Sequence, residues 1–170
     1  MQYGIAILPT REIQEFADSW RRRYDPYYDK IVPHLTVRER EEMDESRLAE
    51  AVHQLERTVD RFAPFSLLFN RVSTFYPVTN TLYLAPERPE TVIELHHAVC
   101  QGPLSLESPK YVYTPHITIA QEMSPDELHD LYGRLRMMRF DLKMDVNEIH
   151  LFERAEDGRW SIRQSFALGG

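Results

Sequence analysis

A chain of 170 residues, 42% of them hydrophobic and none in a low-complexity tract, can bury one sizeable core or two small lobes sharing one. A net charge of −7 disfavours long duplex nucleic acid, which is gripped through many Lys/Arg–phosphate contacts, but it leaves room for a nucleotide or one RNA end in a locally positive pocket. No apolar run approaches the roughly 20 residues that span a bilayer, no signal-peptide pattern opens the chain, and the single Cys100 has no internal disulfide partner. Together these predict a cytoplasmic protein that does not enter the membrane.

Residues 2–8 read as a strand stopped by Pro9. Thr10 can cap a helix to about Tyr24, with Ile13, Phe16, Ala17 and Trp20 on its apolar side. The triplet Arg21, Arg22 and Arg23 suits the negative end of that helix, the alternative being a role in attracting a phosphorylated substrate. The connection that follows carries Tyr24, Tyr27, Tyr28 and Lys30, residues able to wall a pocket or simply to pack. Next comes Pro33-His34-Leu35-Thr36-Val37, a short strand with an extended entry set by the proline. Alternation along a strand puts His34 and Thr36 on one face and Leu35 and Val37 on the other. Arg38 continues the parity of His34 and can face the same site or solvent.

An acidic loop at 39–44 leads to a helix capped by Asp44 or Ser46, with Leu48, Val52, Leu55 and Val59 on its apolar side. Residues 65–75 form a long strand, and a turn at 76–80 returns the chain into an antiparallel strand at 81–85. A helix is expected at about 90–99 and a loop at 102–110, with Tyr111 and Tyr113 as possible pocket walls. Then Pro115-His116-Ile117-Thr118-Ile119 repeats the earlier motif. Ser124, Pro125 and Glu127 mark a helix start running to about Met137. A strand to Glu153, a turn at Glu156-Asp157-Gly158 and a final strand from Trp160 to Phe166 close the chain.

The motif is only the centre of a longer repeat. Residues 65–75 lie over 142–152 without a gap, matching Leu67 with Met144, Phe69 with Val146 and Phe75 with Phe152. Residues 5–9 likewise match 82–86. The chain therefore divides into two copies of strand–helix–HxT strand–helix–strand, at approximately 1–78 and 79–170, within a single bilobal domain.

Histidine moves protons near neutral pH. Two histidines facing one substrate can divide the labour, one taking a proton from a nucleophile and the other giving one to a leaving oxygen. That division suits in-line displacement at phosphorus, with Thr36 and Thr118 donating to non-bridging oxygens. No metal or cofactor is called for. His53, His96, His97, His129 and His150 are scattered without ligand spacing, and Cys100 is expected to be a small helical residue.

The paired His-hydrophobic-Thr-hydrophobic motifs, spread over a chain of this size, resemble the two-histidine (2H) phosphoesterase superfamily. Its members include bacterial RNA 2′,3′-cyclic phosphodiesterase/2′-5′ ligase proteins and eukaryotic cyclic-nucleotide phosphodiesterases. Within it, the chain resembles the YjcG-like branch of bacterial phosphoesterases. The resemblance covers essentially the whole chain. It implies a bilobal fold with a central cleft, catalysis by His34 and His116, and phosphate binding by Thr36 and Thr118. With the repeat, it sets the expected fold as α+β: two pseudo-symmetric lobes with antiparallel sheets flanking the cleft. The expected activity is metal-independent cleavage of a phosphodiester, foremost a 2′,3′-cyclic phosphate on a nucleotide or RNA end. The alternatives are a non-catalytic nucleotide or RNA-end binding module and a 2′-5′ RNA ligase. The partner is a small phosphorylated substrate, and the sequence carries no signal for an oligomeric state.

Overall fold

The computed structural model describes residues 1–107 and 111–169. Part of the loop expected at 102–110 thus lies outside the described residues. The strands are β1 (Gln2–Ile7), β2 (Leu35–Glu42), β3 (Phe65–Thr74), β4 (Leu82–Pro86), β5 (Ile117–Ala120), β6 (Leu142–Val146), β7 (Glu148–Arg154) and β8 (Trp160–Ala167). The helices are α1 (Arg11–Tyr24), α2 (Glu45–Val59), α3 (Glu90–Val99) and α4 (Pro125–Leu135).

α1, α2 and α4 begin where the sequence can satisfy one of the first free N–H groups, whereas α3 follows Pro89 with no side-chain cap. Thr10, Asp44 and Ser124 accept from the amides of Ile13, Arg47 and Glu127 at 3.4, 2.8 and 3.1 Å. Asp44, rather than Ser46, thus caps α2. The apolar stripes of the helices and one face of the strands merge into a continuous core that includes Ile13, Ala17, Leu55, Leu95 and Leu128.

The strands form one antiparallel sheet in the order β6-β3-β4-β5-β2-β1-β7-β8. The order is a palindrome about its centre, where the halves meet through a single paired position, Leu35 with Ile117. The registers repeat as well. Ala6 lies opposite Thr36 and Ile7 opposite Leu35, while Tyr83 lies opposite Thr118 and Leu84 opposite Ile117. The same shift relates Ile5 with Leu151 to Leu82 with Thr74.

The acidic stretch expected as a loop at 39–44 instead continues β2 to Glu42, pairing Glu41 with Tyr3 and Glu42 with Gln2. Two further sequence expectations change. The segment 142–152 is not one strand. It breaks at Asn147, whose carbonyl accepts from the Leu168 amide at 2.8 Å. β6 pairs with β3, and β7 crosses to pair with β1. The gapless superposition hid the break because each piece keeps its own correct register. Secondly, the halves of the sheet are not the halves of the chain, since β3 joins β4 and β7 joins β1.

Candidate active site

The centre of the sheet carries both HxT motifs. Leu35, Val37, Ile117 and Ile119 are fully buried in the core, so His34, Thr36, His116 and Thr118 emerge on the opposite face. Carrying the antiparallel register of Leu35 and Ile117 one residue each way sets His34 across from Thr118 and Thr36 across from His116. All four line one cleft of about 570 Å³.

The two imidazoles are held alike. His34 Nδ1 contacts the Val32 carbonyl at 2.8 Å, and His116 Nδ1 contacts the Thr114 carbonyl at 2.8 Å. A carbonyl only accepts, so Nδ1 carries the hydrogen in both rings and the neutral ring presents an unprotonated Nε2. Both rings are half-buried on the cleft face. Loss of hydration pulls His34 down to about 4, opposed by its carbonyl partner and reinforced by the Arg21 guanidinium and by His116. Burial also lowers His116, against the pull of the Thr114 carbonyl and Glu39. At neutral pH the cleft therefore holds two neutral imidazoles.

Structural support comes from residues that the sequence did not single out for this role. Arg21 is 2% exposed. It binds Asp18 and Asp25 at 2.7 and 3.1 Å and the Ile31 carbonyl at 2.6 Å. It is not a solvated helix-end cation but the anchor that folds the 25–33 loop against the cleft. Only the tether Asp25-Pro26 directly after the helix hinted at this. Gln121 Nε2 donates to Asp25 Oδ1 at 3.0 Å, joining that loop to the end of β5.

Arg38 borders the cleft rather than solvent, but its guanidinium is committed elsewhere. A register shift of β2 against β1 interrupts the alternation, and the buried guanidinium donates to the carbonyls of Leu104 and Ser105 at 3.0 and 3.2 Å. Tyr27 and Lys30 do line the cleft, whereas Tyr28 lies under the guanidinium groups of Arg21 and Arg22. Tyr113 is not a cleft wall. Its hydroxyl donates to the Thr36 carbonyl at 2.6 Å while its ring stacks on His96 at 3.8 Å. His96 in turn binds the Val37 carbonyl at 2.6 Å. Tyr111 is exposed away from the cleft.

His150 binds Ser165, His129 packs on Tyr76, and His53 and His97 are exposed. Among the described residues, no three His, Cys, Asp or Glu are grouped so as to hold a metal ion. Burial pushes the Cys100 thiol up to about 11, as befits an unreactive side chain. Among the described residues, no helix is long and apolar enough to cross a membrane.

Comparison with known proteins agrees with this architecture. The family model of the 2′-5′ RNA ligase superfamily matches residues 9–158. The chain belongs to that superfamily. It is 41% identical over 169 residues to a "Putative phosphoesterase" of Oceanobacillus iheyensis, covering 99% of both chains. A protein of the same description from a Geobacillus species is 39% identical over 170 residues, covering 100% of this chain and 98% of the relative. Among solved structures, Escherichia coli LigT complexed with 3′-AMP superposes with a TM-score of 0.75 at 19% identity, covering 99% of this chain and 98% of LigT. TT0787 of Thermus thermophilus superposes with a TM-score of 0.73 at 19% identity, covering 100% and 99%. At such identities the likeness establishes the fold: an α+β chain whose antiparallel sheet forms two pseudo-symmetric halves around the cleft. Membership in the superfamily makes the general activity that of a phosphoesterase.

Proposed function

We propose that the cleft cleaves a phosphodiester without a metal ion, and that its substrate is a 2′,3′-cyclic phosphate on a nucleotide or RNA end. The observation carrying this reading is the matched pair of imidazoles, each with Nδ1 bound to a carbonyl two residues back and both bordering one cleft. Such a pair can act on the two sides of one phosphorus. One Nε2 accepts a proton from water as its oxygen bonds to phosphorus. The other, protonated, delivers its proton to the ribose oxygen as that P–O bond breaks. In this reading Thr36 and Thr118, which line the same cleft, donate to the non-bridging oxygens, where negative charge accumulates. The negative charge of the substrate phosphate raises the affinity of the neighbouring imidazoles for the one proton the reaction needs.

The size of the cleft suits one nucleotide. The LigT complexes with 3′-AMP and ATP are consistent with a phosphorylated ligand in a fold of this kind. The description of the matched superfamily favours ligation as the second reading, in which a ribose hydroxyl of a second RNA end takes the place of water.

The test is turnover of the adenine, guanine, cytosine and uracil nucleoside 2′,3′-cyclic monophosphates in EDTA, beside His34→Ala and His116→Ala. Each variant is expected to lose on the order of 10²–10⁴-fold in kcat with an unchanged circular dichroism spectrum. Substantial residual rates in both folded variants would overturn the paired-histidine mechanism. Nucleotide binding without turnover by the wild type would make the cleft a binding module. A 2′-5′ linked product from two RNA ends would select the ligase.

A further inference from the structure

The pseudo-twofold is broken beside the catalytic strands, and the break opens the cleft on one side only. Ala6 pairs with Thr36, and Tyr83 occupies the matching position opposite Thr118. Tyr83 is buried and stacked on Phe75 with ring centroids 4.3 Å apart, and both rings meet His116 edge-on at 5.3 and 4.9 Å. On the His34 side, a methyl group stands where that phenol ring would be. The cleft continues there over Gly4 and Ala6 to Phe152 and Trp160.

That extension carries its own recognition chemistry. Trp160 is half-buried at its far end, and Tyr27, 43% exposed, stands at the rim, so planar apolar surface is available for a base. Three cations border it: Lys30, Arg40 and Arg154. None has a carboxylate partner among the described residues. Arg40 adjoins Gly4, where an added Cβ would lie 3.7 Å from the Arg40 backbone. Lys30 and Arg154 converge at Gly158, where an added Cβ would lie 3.9 Å from Lys30 Cδ and 3.4 Å from Arg154 Nη2. The acidic groups nearby are largely engaged. Glu122 accepts from the Tyr27 hydroxyl at 2.9 Å and Asp157 faces Arg159 at 3.6 Å, while Glu39 also lines the cleft. Lys30 Nζ donates to the Asp157 carbonyl at 2.9 Å, which leaves Arg40 and Arg154 without a side-chain partner among the described residues; such cations on a chain of net charge −7 are the mark of an anion site.

We propose that the β1–β7–β8 floor of the cleft is a second subsite that takes an aromatic base and a phosphate other than the reacting one. Ala6 opens this subsite, and Tyr83 closes its counterpart. The inference deepens the proposed function, since it extends the same cleft. The favoured ligand is therefore a nucleotide carrying a further phosphate, as the terminal residue of an RNA does, rather than a nucleoside with one.

Equilibrium binding tests this separately from turnover. Calorimetry compares adenosine 3′,5′-bisphosphate with adenosine 3′-monophosphate on the wild type, on Arg40→Gln/Arg154→Gln and on Arg57→Gln/Arg61→Gln. The last variant removes the same charge from a distant hollow beside α2. The bisphosphate is expected to bind at least about tenfold more tightly to the wild type, the worth of one charge-assisted contact. That advantage is expected to vanish in the Arg40/Arg154 variant and to persist in the Arg57/Arg61 variant. Ala6→Leu is expected to weaken both ligands. Equal affinities in the wild type, no binding of either ligand, or an advantage that survives Arg40→Gln/Arg154→Gln would overturn the subsite. A bisphosphate preference in a protein that turns over no cyclic phosphate would sustain the subsite and defeat the catalytic reading alone.

Discussion

The catalytic proposal turns on how two residues hold protons. Burial keeps His34 and His116 below the ordinary imidazole range, His34 at about 4. The working form of a free acid–base pair, one ring charged and one neutral, therefore peaks below the unperturbed value of about 6.5. The profile of kcat/KM is expected to be bell-shaped with its maximum below that pH, and a maximum at pH 8 would contradict the assignment. The same shift acts on stability. In the folded protein the rings resist protonation, and in the unfolded chain they do not, so stability is full above about pH 6.5 and is lost as pH falls towards the folded value. Melting temperature is expected to decline across that window, and to decline less steeply in His34→Ala. The motif itself was legible because strand parity is local: two residues apart means the same face. Arg21 was not legible, because its burial depends on a loop that returns over it from ten residues further along.

At the scale of elements, the site depends on what holds β2 and α1 in place. Tyr113 and His96 take the carbonyls of Thr36 and Val37, fastening the strand segment that presents Thr36. Tyr113→Phe keeps the ring stacked on His96 but leaves the Thr36 carbonyl without its donor. The expected cost is about 1–3 kcal/mol in denaturant unfolding, together with a lower kcat. An unaltered stability would show that water replaces the hydroxyl. Arg21→Ala is expected to cost more, about 3–5 kcal/mol, because it strands the buried carboxylate of Asp25. Asp25→Asn, which removes that charge too, should recover part of the loss. Helix starts were readable from their caps, and the β7–β8 turn from Asp157-Gly158, where Gly158 has φ +86. The division of 142–152 was hidden, because matching periodicity does not say which neighbour a strand pairs with.

At the scale of the whole molecule, the palindromic sheet gives the chain its two-sided site and also ties its halves together. The strand that completes the β1–β2 layer, β7, lies in the second repeat. The strand that flanks β4, β3, lies in the first. The apolar faces of all the elements then meet in one core. A fragment of residues 1–78 would expose the β1 edge and the apolar face of β3, and a fragment of residues 79–170 would lack the partner that β4 and β6 share. Neither repeat can bury its own strands, so neither is expected to fold alone even though each contains a complete HxT motif. Cleavage in the exposed 76–80 turn, or separate expression of the two pieces, provides the measurement. Each piece is expected to show no cooperative thermal transition by circular dichroism, and an equimolar mixture is expected to regain both the transition and cyclic-phosphate turnover. A cooperative melt in either isolated piece would mean that the repeats are separable domains and that the exchange of β3 and β7 contributes little to stability. The proposed catalytic pair makes the same demand, since His34 and His116 come from different repeats and meet only across the Leu35–Ile117 junction that joins the halves of the sheet.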